Sequence, residues 1–277
     1  MTKKVGFIGL GDIGLPMAKR LVTHGFQTTI CGHVRRAPVE EMKSLGANEV
    51  KTPREVAEAS DVTVIMVQDD KQAEEVILGP DGLLGGAKEG DGILLMSTLS
   101  PAFCRKVAEA AKAKKVDVLD APVVGARMGA KAGTLGISVG GDRDVLEKYR
   151  TVLETMGKIT HCGDLGMGQI VKLANNMAAT INGLAAYEAI AWGMRNGASE
   201  ELLVNHMKSG SANSFVMQNW EWLKSFMTDP PQPTFYVGAK DLSYALQIAH
   251  EIGQPCPLAA LACGLSIAGP PKLPKVG

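Results

Sequence analysis

The 277-residue chain is short of what would mark a nucleic-acid or membrane protein. It has no excess of either charge: 29 Lys and Arg stand against 29 Asp and Glu, so it offers a polyanion no complementary field. Aromatic residues make up only 5%, too few for a base-stacking surface. No apolar run reaches the roughly 18 residues that suggest a membrane span. The short run in MTKKVGFIGLG breaks into glycines, so it reads as a first strand and not as a signal peptide. The cysteines (Cys31, Cys104, Cys162, Cys256, Cys263) are scattered, with no CxxC and no Cys/His cluster of metal-ligand spacing. An odd set of scattered thiols predicts a reducing compartment, the cytoplasm, and no metal site is expected.

What is present is an ordinary globular composition, 45% apolar and 21% charged, in a chain long enough for two modest domains. The first 160 residues alternate short aliphatic runs with helical patterns, the signature of βαβ units around a parallel sheet. Strands are expected at Val5–Ile8, Thr28–Cys31, Val62–Val67, Gly92–Met96, Val116–Leu119, Leu135–Val139 and Ile159–His161. Helix starts are signalled by the capping box Thr52-Pro53-Arg54-Glu55, by Ser100-Pro101 and by Asp142; Gly25 signals a stop. After Gly168 the pattern turns helical, over about 168–196, 199–208, 212–227, 240–252 and 257–267, with no convincing strand. The break falls at GDLGMG, which predicts domains 1–163 and 164–277 meeting directly across a cleft. The tail GPPKLPKVG reads as irregular.

VGFIGLGDIG places Gly9-x-Gly11-x-x-Gly14 between a strand and a helix. A lone pattern of this kind is weak, but its place gives each glycine a task. The first makes the turn, the second lets a pyrophosphate approach the backbone, and the third packs helix on strand. Leu10, Asp12 and Ile13 complete the loop whose N–H groups face the phosphates at the helix's positive end. The fold class is therefore α/β, an N-terminal Rossmann dinucleotide-binding domain plus an all-helical C-terminal domain built on one long helix. An NAD site carries an acid at the end of strand two. Here CGHVRRAP supplies His33, Arg35 and Arg36 instead, and no acid stands before Glu40. Arginine matches a 2′-phosphate in charge and geometry, so NADP(H) is expected over NAD(H), against the plainer reading of two solvated arginines.

GMGQIVKLANNM, at 166–177, opens an apolar helix with a lysine and, one turn later, an asparagine. On the helix alone, Lys172 could equally be a snorkelling side chain. Four blocks in order settle the comparison: GFIGLGDIGLPMAKRL, MSTLSP (96–101), DAPVVGARMGAKAGTLGISVGG (120–141) and GMGQIVKLANN (166–176). With KDL at 240–242, they resemble the β-hydroxyacid dehydrogenases, which include 3-hydroxyisobutyrate dehydrogenase and tartronate semialdehyde reductase. The resemblance spans Val5 to about Gly253.

The resemblance implies NAD(P)-dependent oxidoreduction of a small hydroxy acid or its semialdehyde. It makes Lys172 the catalytic acid/base and Asn176 the residue that helps place lysine and substrate. A lysine partly desolvated beside a cationic nicotinamide ring has a lowered pKa, which suits proton exchange. It puts Ser97 and Thr98 near the nicotinamide, with Thr98 the better cofactor contact and Ser97 on the substrate side. Val67, Gln68 and Lys240 join the cofactor set, and Asn213 and Phe235 line the substrate end. Where the family reads Asp-Ala-Pro-Val-Ser-Gly-Gly, this chain has Val124 for the serine and Ala126 for the last glycine. Gly125 keeps an N–H for the substrate carboxylate, but a charge-assisted hydrogen bond worth roughly 1.5–3 kcal/mol is gone. Arg127 could replace the charge, or simply be exposed. An imine reductase shares this fold and cofactor, and a silent relative would only bind; both typically lack the lysine. The long apolar helix predicts a homodimer or homotetramer.

Overall fold

The computed structural model describes residues 4–32, 35–226 and 237–268. His33, Phe235 and the tail from 269 lie outside them. By internal contacts the chain divides into Met1–Lys172 and Leu173–Gly277, so the boundary runs inside the long helix.

The first unit contains β1 (Lys4–Ile8), α1 (Gly14–Thr23), β2 (Gln27–Cys31), α2 (Arg36–Ser44) and β3 (Asn48–Val50). There follow α3 (Pro53–Glu58), β4 (Val62–Ile65), α4 (Asp70–Leu78), α5 (Leu83–Gly86), β5 (Gly92–Leu95), α6 (Pro101–Lys112) and β6 (Asp117–Asp120). Next come β7 (Val123–Val124), α7 (Ala126–Ala132), β8 (Leu135–Gly140), α8 (Arg143–Glu154) and β9 (Gly157–Gly163). The sheet runs β3-β2-β1-β4-β5-β6, parallel throughout, the order of a dinucleotide-binding Rossmann sheet. Beyond β6, β8 runs antiparallel to β6 and β7, and β9 pairs parallel with β8.

Strands β4 and β5 are buried at every residue, as expected where helices cover both faces. Successive side chains of β5 alternate between two cores: Leu94 belongs to the one that holds Met17 and Leu21 of α1, whereas Ile93 and Leu95 belong to the one that holds Ile77 of α4 and Val107 of α6. The caps read from sequence form as hydrogen bonds. Thr52 and Glu55 close a capping box, Ser100 Oγ accepts from Phe103 N–H, and Asp142 accepts from Asp144 and Val145. Gly25 follows α1 at φ +85°, a conformation that favours glycine.

The long helix α9 (Met167–Arg195) carries the chain into the second unit. There α10 (Glu200–Ser209), α11 (Phe215–Gln218), α12 (Trp220–Phe226), α13 (Val237–Glu251) and α14 (Pro257–Ala268) follow. Tyr187 and Ile190 of α9 pack with Val204, Met217 and Trp220, and Met177, Ile181 and Leu184 pack with Leu242, Ala259 and Ala262. The single helix expected at 212–227 is two. Ser214 caps α11, and Asn219, at φ −110° and ψ 42°, interrupts the helix while its side chain donates to the Phe215 carbonyl. β3 and β7, three and two residues long, were too short to carry a period-2 signal.

Candidate active site

Strand β1 lies between β2 and β4, so the loop that leaves it sits at the switch point of the sheet, where α/β proteins bind ligands. Gly9 has φ +105°, and a Cβ there would stand 2.1 Å from the Met66 carbonyl oxygen. A Cβ on Gly14 would stand 1.9 Å from the carbonyl oxygen of Gly9, so α1 packs on the loop only if position 14 is glycine. Gly11 is different. Among the described residues nothing lies within 4 Å of the Cβ it lacks, so none of them forbids a side chain. Its glycine makes sense if a ligand uses that space, and the loop fits a pyrophosphate against the head of α1.

The turns after β4 and β5 share this edge of the sheet. Ser97 is only 1% exposed, and its hydroxyl accepts from Val67 N–H at 2.7 Å. It also donates to the Ile65 carbonyl at 3.3 Å. The side chain thus ties two turns together. Thr98 is half-buried and Gln68 is exposed, with its N–H bonded to Gln72 Oε1 at 3.0 Å.

Arg35 and Arg36 are exposed at the start of α2. Arg36 is already engaged: Nη1 donates to Glu49 Oε1 at 2.5 Å and Nη2 to Glu40 Oε1 at 2.5 Å. The guanidinium beside Glu49 holds that carboxyl down near pH 2; its pKa is lowered to about 2. Glu49 thus occupies one fork of an arginine expected to receive phosphate. Its strand was not foreseen.

Val124 is half-buried on β7, and Gly125 follows at φ +119°. Ala126, at the position where the family's glycine falls, takes φ +52°, a left-handed conformation that a Cβ makes costly.

Two residues without an assigned role organise the head of α9. Asp120, fully buried at the end of β6, accepts from Gly166 N–H at 2.6 Å and from Gln169 N–H at 2.8 Å. Burial pushes its carboxyl pKa up, and backbone N–H donors from Gly166, Gln169 and Gly168 pull it back in part. Gly168 is held so close that a Cβ would stand 2.3 Å from the Ser138 carbonyl oxygen and 2.7 Å from Asp120 Oδ2. That accounts for a glycine at 168. Lys172, half-buried, follows on the same helix. An acid buried at the end of strand β6, after Val118 and Leu119, was the available signal for Asp120.

In the second unit, Asn176 Nδ2 donates to Asp241 Oδ2 at 2.5 Å. Lys240 Nζ lies 3.0 Å from Asp241 Oδ1 and 5.0 Å from the Tyr244 ring centroid. Asn176 and the KDL triplet, recognised separately in the sequence, are thus one cluster around a carboxylate that is 2% exposed. Asn213 is exposed, and its side-chain oxygen accepts from Gln218 at 2.8 Å.

A parallel Rossmann sheet with an open glycine cradle at its switch point defines a dinucleotide-binding fold. Residues 4–166 match the NAD binding domain of 6-phosphogluconate dehydrogenase, and residues 166–270 match the NAD-binding domain of NADP-dependent 3-hydroxyisobutyrate dehydrogenase. An NAD-dependent L-serine dehydrogenase of Pseudomonas aeruginosa is 34% identical over 95% of this chain and 91% of its own. A 2-hydroxy-3-oxopropionate reductase of Escherichia coli is 38% identical over 90% and 85%. A solved 3-hydroxyisobutyrate dehydrogenase from Salmonella typhimurium superposes with a TM-score of 0.87 at 26% identity, covering 96% of this chain and 93% of that one. The chain belongs to the β-hydroxyacid dehydrogenase family, and is an NAD(P)-dependent oxidoreductase acting on the CH–OH group of hydroxy acids.

Proposed function

We propose that the chain interconverts a small 3-hydroxy acid and its semialdehyde, with NADP(H) favoured over NAD(H) and Lys172 as general acid/base. The bound nicotinamide supplies or accepts the hydride. Lys172 exchanges the proton of the substrate oxygen, and its place on the first turns of α9, anchored through Asp120, supports that role. Asn176, one turn further on, is held by Asp241 and fixes the polar side of the helix. The N–H of Gly125 remains for the substrate carboxylate; Val124 adds no hydroxyl, which favours a substrate with an apolar substituent there. Arg35 reads the 2′-phosphate, with Arg36 contributing from its carboxylate pair.

The carrying observation is the helix head that fixes Lys172. The names of the relatives supply the first panel: 3-hydroxyisobutyrate, L-serine and 2-hydroxy-3-oxopropionate, each with NADP(H) and NAD(H), followed by absorbance. Lys172→Met should keep helix propensity and lower kcat by about 10²-fold or more. Near-native turnover in that variant would leave Lys172 a snorkelling side chain. The same reading places the protein in the cytoplasm, on five free thiols, and as a homodimer or homotetramer. Leu258, Leu261 and Ile267 of α14 are exposed, apolar surface of the kind a second copy covers, and light scattering would measure it.

A further inference from the structure

The head of α9 is held by more than a cap. Gln169, fully buried, faces the turn after β5: its Oε1 accepts from Leu99 N–H at 3.0 Å, and its Nε2 donates to the Ser97 carbonyl at 2.9 Å. Its own N–H goes to Asp120 at 2.8 Å. The Ser97 hydroxyl carries the connection on to Val67 N–H at 2.7 Å. A polar chain therefore runs from the end of β6, through the first turn of α9, to the turns after β5 and β4. Apolar side chains would fill the same space without desolvating a carboxylate and an amide. What the polar groups add is direction, because each bond fixes a distance and an angle.

We propose that Asp120 and Gln169 are positioning residues that set the height and rotation of the first turns of α9 against the Ser97–Leu99 turn, and so place Lys172 relative to the nicotinamide end. The inference rests on Lys172 being the acid/base. Lys172 stands three residues beyond Gln169, about 4.5 Å along the axis, so its stem leaves a segment whose register the latch fixes. A helix slipped by one residue moves it by about 1.5 Å and turns it by about 100°, and proton transfer needs a reach near 3 Å.

Gln169→Leu removes both side-chain bonds at similar volume, and Asp120→Asn keeps an acceptor while removing the charge. Gln169→Leu should lower kcat by about 10–100-fold, the scale of an approximately 1 Å misplacement, with the Kd for NADP+ changed less than about threefold. L-Serine and 3-hydroxyisobutyrate are the substrates for the assay. Reductive ¹³C-methylation should place the Lys172 resonance, assigned by its loss in Lys172→Met, at a different pKa in Gln169→Leu. In a Lys172→Met background, Gln169→Leu should cost less than about twofold further, because its effect passes through the lysine. Losses that multiply in the double variant, or an unmoved Lys172 titration in a folded Gln169→Leu protein, would overturn the latch alone. A Lys172→Met protein with near-native turnover would overturn the reading of the lysine, and with it the purpose of the latch. Should Asp120→Asn fail to fold, Gln169→Leu decides by itself.

Discussion

Two helices of the first unit are reached through glycines, and their N-termini end up in opposite circumstances. At α1 the loop Gly9–Gly14 leaves a space beside Gly11 into which none of the described residues projects. At α9 the corresponding space is filled from within, because the Asp120 carboxylate takes the N–H groups of Gly166 and Gln169. The physics is shared: unsatisfied N–H groups and a positive dipole end attract an anion. One end is left for a ligand's phosphates and the other is closed by the protein's own acid. A helix N-terminus is thus a binding site only where the chain declines to fill it.

Alanine substitution at the glycines is the strongest way to break this contrast. Gly14→Ala and Gly168→Ala push a Cβ to 1.9 and 2.3 Å from backbone oxygens, so each should destabilise by about 3 kcal/mol or more by urea unfolding. Gly11→Ala meets no atom of the described residues within 4 Å and should leave stability within about 0.5 kcal/mol, while weakening NADP(H) binding about tenfold by fluorescence titration. Equal losses of stability at 11 and 14 would erase the distinction between open and filled.

Removing the internal anion comes next. Asp120→Ala strands two buried N–H donors and should destabilise by about 2 kcal/mol. The pH dependence has a definite sign. Burial raises the folded pKa of Asp120 above its unfolded value near 3.9, so the folded state binds more proton in that interval. Stability from this group therefore falls as pH rises through the interval, and Asp120→Asn should flatten that slope in unfolding curves.

The fold was legible wherever one residue type does one local job. The caps at Thr52, Ser100 and Asp142, the stop at Gly25 and every strand longer than three residues follow from neighbours in the chain. The candidate site was half legible. The spacing of Gly9, Gly11 and Gly14 marks the cradle and the family resemblance singles out Lys172, but the Asp120 and Gln169 bonds join residues 46 to 72 positions apart. No local pattern encodes such a pairing. Ser97 shows the same limit: nothing in its local sequence announces that its hydroxyl bonds to Val67 and Ile65, some thirty residues away.

Smaller effects sharpen the picture at the edges. Ala126 holds φ +52° where glycine would be unstrained, so Ala126→Gly should stabilise by about 1 kcal/mol in thermal melts. An unchanged or lowered Tm would show that the turn is not strained. The Arg36–Glu49 pair should matter least. With its pKa lowered to about 2, Glu49 contributes above its unfolded value near 4.3 and loses that contribution as pH falls towards 2. Glu49→Gln should lower the KM for NADPH by about two- to threefold, since one fork of Arg36 is released, and leave that for NADH alone.

The docking of α9 on Asp120 also bears on how the chain is made. The first unit is not closed by its last strand, β9, which ends at Gly163. It needs Gly166 and Gln169, which donate to the Asp120 side chain and, through the Gln169 amide, hold the Ser97–Leu99 turn. During synthesis the nascent nucleotide-binding unit therefore stays incomplete until about residue 172 has cleared the ribosome, by which time the seed of the second unit's central helix is already attached. A fragment cut at the last strand would leave Asp120 without the N–H groups of Gly166 and Gln169. One cut after Lys172 would carry its own cap, so the sensible place to divide this protein lies within a helix and not between its elements.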